Sequence, residues 1–203
     1  MLVNMKKVLI ATGNKGKLLE ISKLLNEINI KAFGNNDSNL EDPEENGLTF
    51  EDNSVIKAKY YGEHAGEISL ADDSGLVIPV IDNQPGIYSA RWAPNKNFNI
   101  AFKTIEEKLQ QLDLNPQKDK IAAYFICNLS LYNPKNGQIN SFEGRVDGFL
   151  QFPPKGDKGF GYDPIFIRDG DDQTFSQIDP KEKEKISHRA DAFRKLVKFL
   201  KNE

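Results

Sequence analysis

The chain has 203 residues, of which 38% are hydrophobic and 28% charged, which is the composition of a folded globular protein and not of a disordered one. Its formal net charge of -3 gives no reason to expect general attraction to nucleic acid or to a membrane, so an anion site must be built from locally gathered basic groups. No apolar run reaches the roughly 18 to 20 residues needed to cross a bilayer. The single cysteine, Cys127, excludes an internal disulfide and is expected to pack in the core. We therefore expect a cytoplasmic protein, bound to neither nucleic acid nor membrane, whose partner is a small molecule.

The first predicted elements are a strand over residues 8–11 and a helix through residues 18–28, where Leu18, Ile21 and Leu25 recur at helical spacing. The segment between them is a strand-to-helix turn, and backbone N–H groups in such a turn can bind an anion. Lysines in the first turn of a helix oppose its dipole unless an anion is bound there. The pattern favours a phosphate site, and the alternative is an ordinary connecting turn. The residues of this turn are Thr12, Gly13, Asn14, Lys15, Gly16 and Lys17.

A polar segment over residues 34–45 follows, with turn residues at its start and acids at its end. Its last acids, Glu44 and Glu45, are hard oxygen ligands of the kind that Mg²⁺ takes, although a solvated loop is the alternative. Thr49 and Asp52 then resemble a capping box and mark the start of a second helix.

Two further strands are predicted over residues 68–71 and 76–81, on either side of an acidic loop over residues 72–75. Asp72 and Asp73 are adjacent in this loop and could hold a metal ion. A solvated acidic loop is again the alternative.

The second half of the chain begins with an amphipathic helix over residues 98–112. Long strands over residues 121–132 and 139–150 are joined by a short turn and read as a hairpin, so the sheet is expected to be mixed. A last helix starts near residue 187. Because strands and helices alternate without a flexible linker, we expect one compact α/β unit.

Two segments in this half favour ligand binding. Aromatic residues alternate with glycines over residues 159–166, where Phe160 could stack on a base and Asp163 could accept hydrogen bonds from its edge. A β-turn with a core aromatic is the alternative. Three lysines, His188 and Arg189 lie just before or within the first turn of the last helix, as expected of an anion or carbonyl clamp or of a solvated charged run.

Taken together, these segments resemble the RdgB-type family of inosine triphosphate pyrophosphatases, which hydrolyse non-standard purine nucleoside triphosphates to the monophosphate and pyrophosphate. The resemblance covers nearly the whole chain. It rests on TGNKGKLLEI (12–21), ENGLTFEDN (45–53) with Lys57, ADDSGL (71–76), PGIYSAR (85–91), GFGYDPIF (159–166) and KISHR (185–189), in the family's order. It implies a long twisted mixed sheet flanked by helices, forming two lobes around a nucleotide cleft in one domain over residues 1–203. It also implies a homodimer.

The resemblance also implies roles for individual residues. Asp73 would be the general base and would bind Mg²⁺ together with Glu44. The residues that would contact the substrate are Thr12, Gly13, Asn14, Lys15, Gly16, Lys17, Lys57, Ser74, Phe160, Gly161, Tyr162, Asp163, Lys183, His188 and Arg189. Asp52, Ser54 and Ala190 depart from the residues usual in the family, but none of them is a proposed catalytic group.

The expected reaction is attack of water on the α-phosphorus of ITP, dITP or XTP, with Arg189 and nearby backbone donors meeting the 6-keto oxygen of the base. Two other classes remain open on the sequence. A Maf-type pyrophosphatase would act on modified pyrimidine nucleotides, whereas a non-enzymatic nucleotide sensor would not need the acids Glu44, Asp72 and Asp73.

Overall fold

The structure, a computed structural model, describes residues 5–34 and 42–202. Its strands and helices follow in chain order as β1 (Lys7–Ala11), α1 (Lys15–Glu27), β2 (Lys31–Gly34), α2 (Phe50–Ala65), β3 (Ser69–Ile78), β4 (Gln84–Pro85), α3 (Phe98–Gln110), β5 (Ala122–Asn133), β6 (Gln138–Leu150), β7 (Phe166–Arg168), α4 (Pro180–Ile186) and α5 (His188–Asn202). The predicted turn residues 35–37 lie outside the described residues.

The strands form one seven-stranded sheet in the order β2-β1-β3-β5-β6-β7, with β4 paired to β3. β1 runs parallel to both β2 and β3, whereas the pairs β3–β4 and β6–β7 are antiparallel. The predicted mixed sheet and α/β class are therefore confirmed. β2 was not predicted, because its four residues carry too little alternation to be recognised as a strand.

The chain divides into two compact units. The first contains residues 1–73, 127–144 and 189–203 as far as they are described. Its larger apolar cluster joins residues of β1, α1, β5 and α5, including Ile10, Ile21, Leu129 and Phe193. Cys127 is fully buried in this cluster, as predicted.

The second unit contains residues 74–126 and 145–188. Its core is aromatic: the rings of Phe125, Phe166 and Phe175 contact one another, and the apolar face of α3 packs into the same cluster. The predicted amphipathic pattern of α3 is confirmed, because Ala101, Phe102, Ile105 and Leu109 are all buried.

The prediction of two strands separated by a loop over residues 72–75 is wrong. β3 runs without interruption from Ser69 to Ile78, and nearly all of it is buried. The polar residues tolerate this burial because they find partners, and Gly75 allows a close approach: a Cβ there would lie 2.3 Å from the Ser89 Oγ and 2.5 Å from the Gly86 carbonyl oxygen. The glycine that indicated a turn therefore serves chain packing within a strand.

The C-terminal helices also differ from the prediction. A helix does begin at His188, but residues 180–186 form a separate short helix, α4. Asp179 caps α4 by accepting a hydrogen bond from the Lys181 N–H, Pro180 occupies its first turn, and Ser187 has extended backbone angles that end it. The predicted lysines of this region therefore lie on a helix of their own.

Candidate active site

The predicted phosphate turn connects β1 to α1 in the first unit. Asn14 caps α1, and its Oδ1 accepts hydrogen bonds from the Gly16 N–H at 2.9 Å and the Lys17 N–H at 3.3 Å. Two N–H groups that were expected to be available to an anion are thus bound by a side chain in this structure. Gly13 and Lys15 are exposed, and the first turn of α1 contains no acidic residue. The helix dipole and the lysines leave this turn suited to an anion.

The parallel pairing of β1 with β3 brings the turn to the two aspartates. Ala11 of β1 is the register partner of Ala71 of β3. Because the two strands are parallel, the residues that follow these alanines, Thr12 and Asp72, lie at the same end of the strand pair. Successive side chains of a strand point to opposite faces of the sheet. Asp72 and Asp73 accordingly pair with different basic residues, Asp72 with Lys17 and Arg189 and Asp73 with Lys57.

Asp72, which is fully buried, is the centre of an ionic network. Its carboxylate pairs with Lys17, accepts a hydrogen bond from Arg189 Nε at 2.8 Å, and accepts one from Cys127 Sγ at 3.0 Å. Arg189, which is 2% exposed, also pairs with Glu20. The network therefore connects α1, β3, β5 and α5.

The protonation of this network follows from its charges. Burial alone would raise the pKa of Asp72, but the charges of Arg189 and Lys17 hold it well below its ordinary value. Burial, followed by the charge of Asp72, raises the pKa of the Cys127 thiol well above its ordinary value. Cys127 is thus a neutral hydrogen-bond donor to an ionised aspartate.

Asp73, the predicted general base, lies on the other face of β3. Lys57 of α2 donates to its Oδ1 at 2.8 Å. The Oδ2 atom is buried and has no hydrogen-bond partner among the residues that the structure describes. Burial raises the pKa of Asp73, and the charges of Lys57 and Lys17 only partly oppose this shift. One oxygen of a buried carboxylate is therefore held in place while the other remains available for a ligand.

Lys57 connects Asp73 to the segment over residues 42–48 before α2, called the acidic segment below, which carries Glu44 and Glu45. Its Nζ lies 2.7 Å from Glu45 Oε1, and it is 8% exposed. Burial alone would lower the pKa of Lys57, but Asp73 and Glu45 raise it above its ordinary value. Glu44, the predicted metal ligand, has an exposed side chain, so among the described contacts it is the neighbouring Glu45 that reaches the Lys57–Asp73 pair.

These carboxylates are suited to a magnesium ion that takes its other ligands from water and from the phosphates of a nucleotide. Mg²⁺ is usually bound by one or two carboxylates together with water and substrate phosphates. The carboxylates of Asp73 and Glu45, which both pair with Lys57, could supply two such ligands. Within the described ranges, no group of three or more acids, histidines and cysteines could hold a metal ion on protein ligands alone.

The aromatic and glycine segment, with α4, forms a second cluster in the second unit. Asp163 Oδ2 accepts hydrogen bonds from the Phe160 N–H at 2.9 Å and from Lys183 Nζ at 2.6 Å. Lys183 Nζ also lies 4.7 Å from the centre of the Phe160 ring. Asp163 and Lys183 are 2% and 4% exposed, so their ion pair is buried. Both residues contact Phe160, and these contacts hold its half-buried ring in place.

Other predicted residues of this region have mainly structural contacts. The Tyr162 hydroxyl donates to the Ser89 carbonyl oxygen at 2.8 Å, and its ring packs against Phe98. The ring of His188 is buried and stacks on Phe125, with centroids 4.8 Å apart. Ser74 follows Asp73 in β3 and is half-buried.

Several residues of these clusters were not recognised as site residues in the sequence. Glu20 and Cys127 contact the Asp72 network through partners more than fifty positions away, so no local pattern could indicate them. Asn53 binds the backbone of the acidic segment. The spacing of Asn53 and Lys57, one helical turn apart, was the only available signal.

The fold and these clusters define an α/β protein with a buried, lysine-paired carboxylate on a strand that lies next to the strand leading into a strand-to-helix turn. The sequence model of the Ham1 family matches residues 8–199, and the chain belongs to this family.

Curated relatives match over nearly their full length. The chain is 41% identical over 192 residues to a dITP/XTP pyrophosphatase of Zymomonas mobilis, covering 94% of this chain and 90% of that protein. It is 43% identical over 196 residues to a dITP/XTP pyrophosphatase of Caulobacter vibrioides, covering 96% and 97%. A solved HAM1 protein from Coxiella burnetii superimposes with a TM-score of 0.86 at 33% identity, covering 98% of this chain and all of that one. These matches confirm the predicted family and fold.

Proposed function

We propose that this protein is a nucleoside-triphosphate pyrophosphatase that hydrolyses ITP, dITP and XTP to the monophosphate and pyrophosphate, and so removes non-standard purines from the nucleotide pool. Membership of the Ham1 family and the activity for which its relatives are named support this reaction. The observation that carries the proposal is the carboxylate of Asp73, with one oxygen held by Lys57 and the other oxygen buried and available. The matches to dITP/XTP pyrophosphatases do not favour the Maf-type alternative.

In this reaction a water attacks the α-phosphorus and pyrophosphate leaves. Asp73 Oδ2 accepts a hydrogen bond from this water and then its proton. Because Lys57 fixes Oδ1, the carboxylate presents Oδ2 in a defined direction. Burial raises the pKa of Asp73, which makes its ionised form a stronger base than an exposed aspartate.

Lysines of the first unit stabilise the charge that develops on the phosphates. Lys17 stands at the start of α1, and Lys57 is held between two carboxylates. The backbone of residues 12–17 adds the positive end of the helix dipole. Fixed positive groups of this kind act on the transition state without having to reorganise.

Asp73 and Glu45 would hold Mg²⁺, with the predicted ligand Glu44 in the same segment. When bound, the ion supplies positive charge to the phosphate oxygens and neutralises the leaving pyrophosphate. Lys57 already holds the two carboxylates close together, which supports this assignment.

The family resemblance assigns contacts with the base to Phe160, Lys183, His188 and Arg189. Phe160 offers an aromatic face, and Lys183 Nζ lies 4.7 Å from the centre of its ring. Donors that meet a 6-keto oxygen would lose their partner with adenine, at about 1 to 3 kcal/mol for each donor left unpaired. This supports a preference for ITP, dITP and XTP over ATP.

We also propose that the protein acts as a cytoplasmic homodimer. The family resemblance supports the dimer, and sedimentation in solution would test it. Among the described residues, no helix has the length and apolar character needed to span a membrane.

The role of Asp73 is tested by Asp73→Asn, which keeps the side-chain shape but is a much weaker base. We expect kcat for ITP to fall at least about a hundredfold, with a change in substrate dissociation constant below about threefold. Asp82→Asn, at an exposed position after β3, is the matched control and should keep full activity. A sensor would bind ITP without turnover in either form, and an unchanged rate in Asp73→Asn would contradict the assignment.

A further inference from the structure

The acidic segment before α2 is held against that helix by side chains of the helix itself. The Gly47 N–H donates to Asn53 Oδ1 at 2.8 Å, and Glu45 pairs with Lys57 at 2.7 Å. Asn53 and Lys57 are four residues apart, so they lie on the same face of α2, one turn from each other. The segment therefore runs antiparallel to the helix, with two of its residues held by two successive turns.

The Asn53 side chain is buried where it contacts the acidic segment. It is 1% exposed, and its backbone N–H is already used inside the helix, bonded to the Thr49 carbonyl oxygen at 3.2 Å. The segment approaches so closely that a Cβ on Gly47 would lie 2.5 Å from the Asp52 Cβ and 2.7 Å from Asn53 Oδ1. A glycine is therefore required at position 47. The side-chain amide of Asn53 holds the acidic segment in direct contact with α2.

A second anchor lies at the start of the helix. Asp52 Oδ2 accepts hydrogen bonds from the Leu48 N–H at 3.2 Å and the Thr49 N–H at 3.0 Å. These bonds are exposed, whereas the hydrogen bond of Gly47 to Asn53 is partly buried and Asn53 itself is buried, and a buried polar group costs more to leave unpaired. Asn53 is thus the principal anchor between the helix cap and Glu45.

We infer that Asn53 is a positioning residue that sets the place of Glu45 beside Asp73 and so determines the affinity of the site for Mg²⁺. This inference rests on the proposed function. Without the amide acceptor, the Gly47 N–H loses its partner and the segment moves away from α2. Glu45 keeps its ion pair with Lys57, and Tyr61 of α2 still donates a hydrogen bond to Asp42 of the segment, but the contact two residues from Glu45, at Gly47, is lost.

The test compares Asn53→Ala with Ser54→Ala. Ser54 is also fully buried on α2, but its hydroxyl contacts Asn128 and Ser130 of β5 and not the acidic segment. Both variants remove a buried polar contact of the same helix, so Ser54→Ala controls for general loss of stability. Asn53→Ser, whose side chain is too short to reach Gly47, replaces Asn53→Ala if the latter does not fold.

Three measurements are made on each variant. Hydrogen exchange of the Gly47 amide should become faster in Asn53→Ala and stay protected in Ser54→Ala. The Mg²⁺ concentration that gives half-maximal turnover of ITP should rise at least about tenfold in Asn53→Ala and less than about twofold in Ser54→Ala. Binding of Mn²⁺ to the nucleotide-free protein, followed by the electron paramagnetic resonance signal of the free ion, should weaken in the same order.

An equal rise in the Mg²⁺ requirement in both variants would overturn the inference, because the effect would then be one of helix stability. An unchanged requirement in Asn53→Ala, despite faster exchange at Gly47, would also overturn it and leave the proposed function intact. If the unaltered protein showed no metal requirement, the proposed function and this inference would fail together.

Discussion

At the scale of single residues, two neighbouring aspartates with the same chemistry are given opposite properties by their partners. Asp72 meets two cations and a thiol, which keep it ionised, whereas Asp73 meets one shared lysine and retains a buried oxygen without a partner in the described part of the chain. Paired groups with divergent pKa values commonly mark an acid or base assignment. This contrast supports the proposal that Asp73, and not Asp72, is the group available for chemistry.

The raised pKa of Asp73 predicts the acidic limb of the pH profile. Activity requires the ionised form, so kcat/KM should fall with decreasing pH at a higher pH than an ordinary aspartate would give. In Lys57→Met the opposing positive charge is lost, which raises the pKa of Asp73 further. We expect the limb to move to higher pH and the maximal rate to fall at least about tenfold. A limb that stayed in place or moved to lower pH, measured at saturating Mg²⁺, would contradict this account.

At the scale of secondary structure elements, β3 shows how packing overrides a local turn signal. The sequence Asp72-Asp73-Ser74-Gly75 has the composition of a loop, yet it lies in the middle of a buried strand. The strand continues because the carboxylates find cations and because Gly75 leaves room for the chain at residues 86–89. Substitution of this glycine should therefore be costly.

Gly75→Ala is expected to lower the free energy of unfolding by about 1 to 3 kcal/mol, since the new methyl group would meet the Gly86 carbonyl oxygen, which is backbone and cannot rotate away. Thermal and urea unfolding of the variant would measure the loss. The added Ser89→Ala change, which removes only the nearby hydroxyl, should not restore stability. Unchanged unfolding of Gly75→Ala would show that the close approach is not needed.

Elements with a strong local signal could be predicted from the sequence. The capping box of Thr49 and Asp52, the apolar stripe of α3 and the two long strands β5 and β6 are all observed, because spacing or capping within one segment determines them. Asp179 and Pro180 are local signals for the start of α4. This helix was nevertheless not distinguished in the sequence from the charged run that follows.

The candidate site was predictable only in part. The turn at residues 12–17 and the residue Asp73 could be proposed as site residues from the sequence, but their contacts could not be predicted. The contacts of Arg189 with Asp72 and Glu20 join residues 117 and 169 positions apart. Whether Glu44 or Glu45 reaches Lys57 depends on how the segment lies on α2, which the order of residues does not determine.

At the scale of the whole molecule, the buried network around Asp72 should make stability depend on pH. Its pKa in the folded protein lies well below the ordinary value of 3.8. Asp72 therefore contributes stability that is fully present above the ordinary value and is lost as the pH falls through the folded value.

Asp72→Asn should lower the free energy of unfolding by about 3 to 5 kcal/mol near neutral pH, because the buried Arg189 then loses the charge of a buried partner. The difference from the unaltered protein should shrink at pH values below about 4, where Asp72 begins to be protonated in the unfolded chain while it is still ionised in the folded protein. Urea unfolding at a series of pH values measures both. A difference that did not change with pH would mean that Asp72 contributes through packing and not through charge.

The most direct test of the proposed function is pyrophosphate release from a panel of ITP, dITP, XTP, GTP, ATP, CTP and UTP in Mg²⁺, repeated with EDTA. We predict strong turnover of ITP, dITP and XTP, weak turnover of the other nucleotides, and loss of activity when EDTA removes the metal. Preferential turnover of pyrimidine nucleotides, or tight binding of ITP without any pyrophosphate release, would contradict the assignment of this protein as a non-standard purine nucleoside-triphosphate pyrophosphatase.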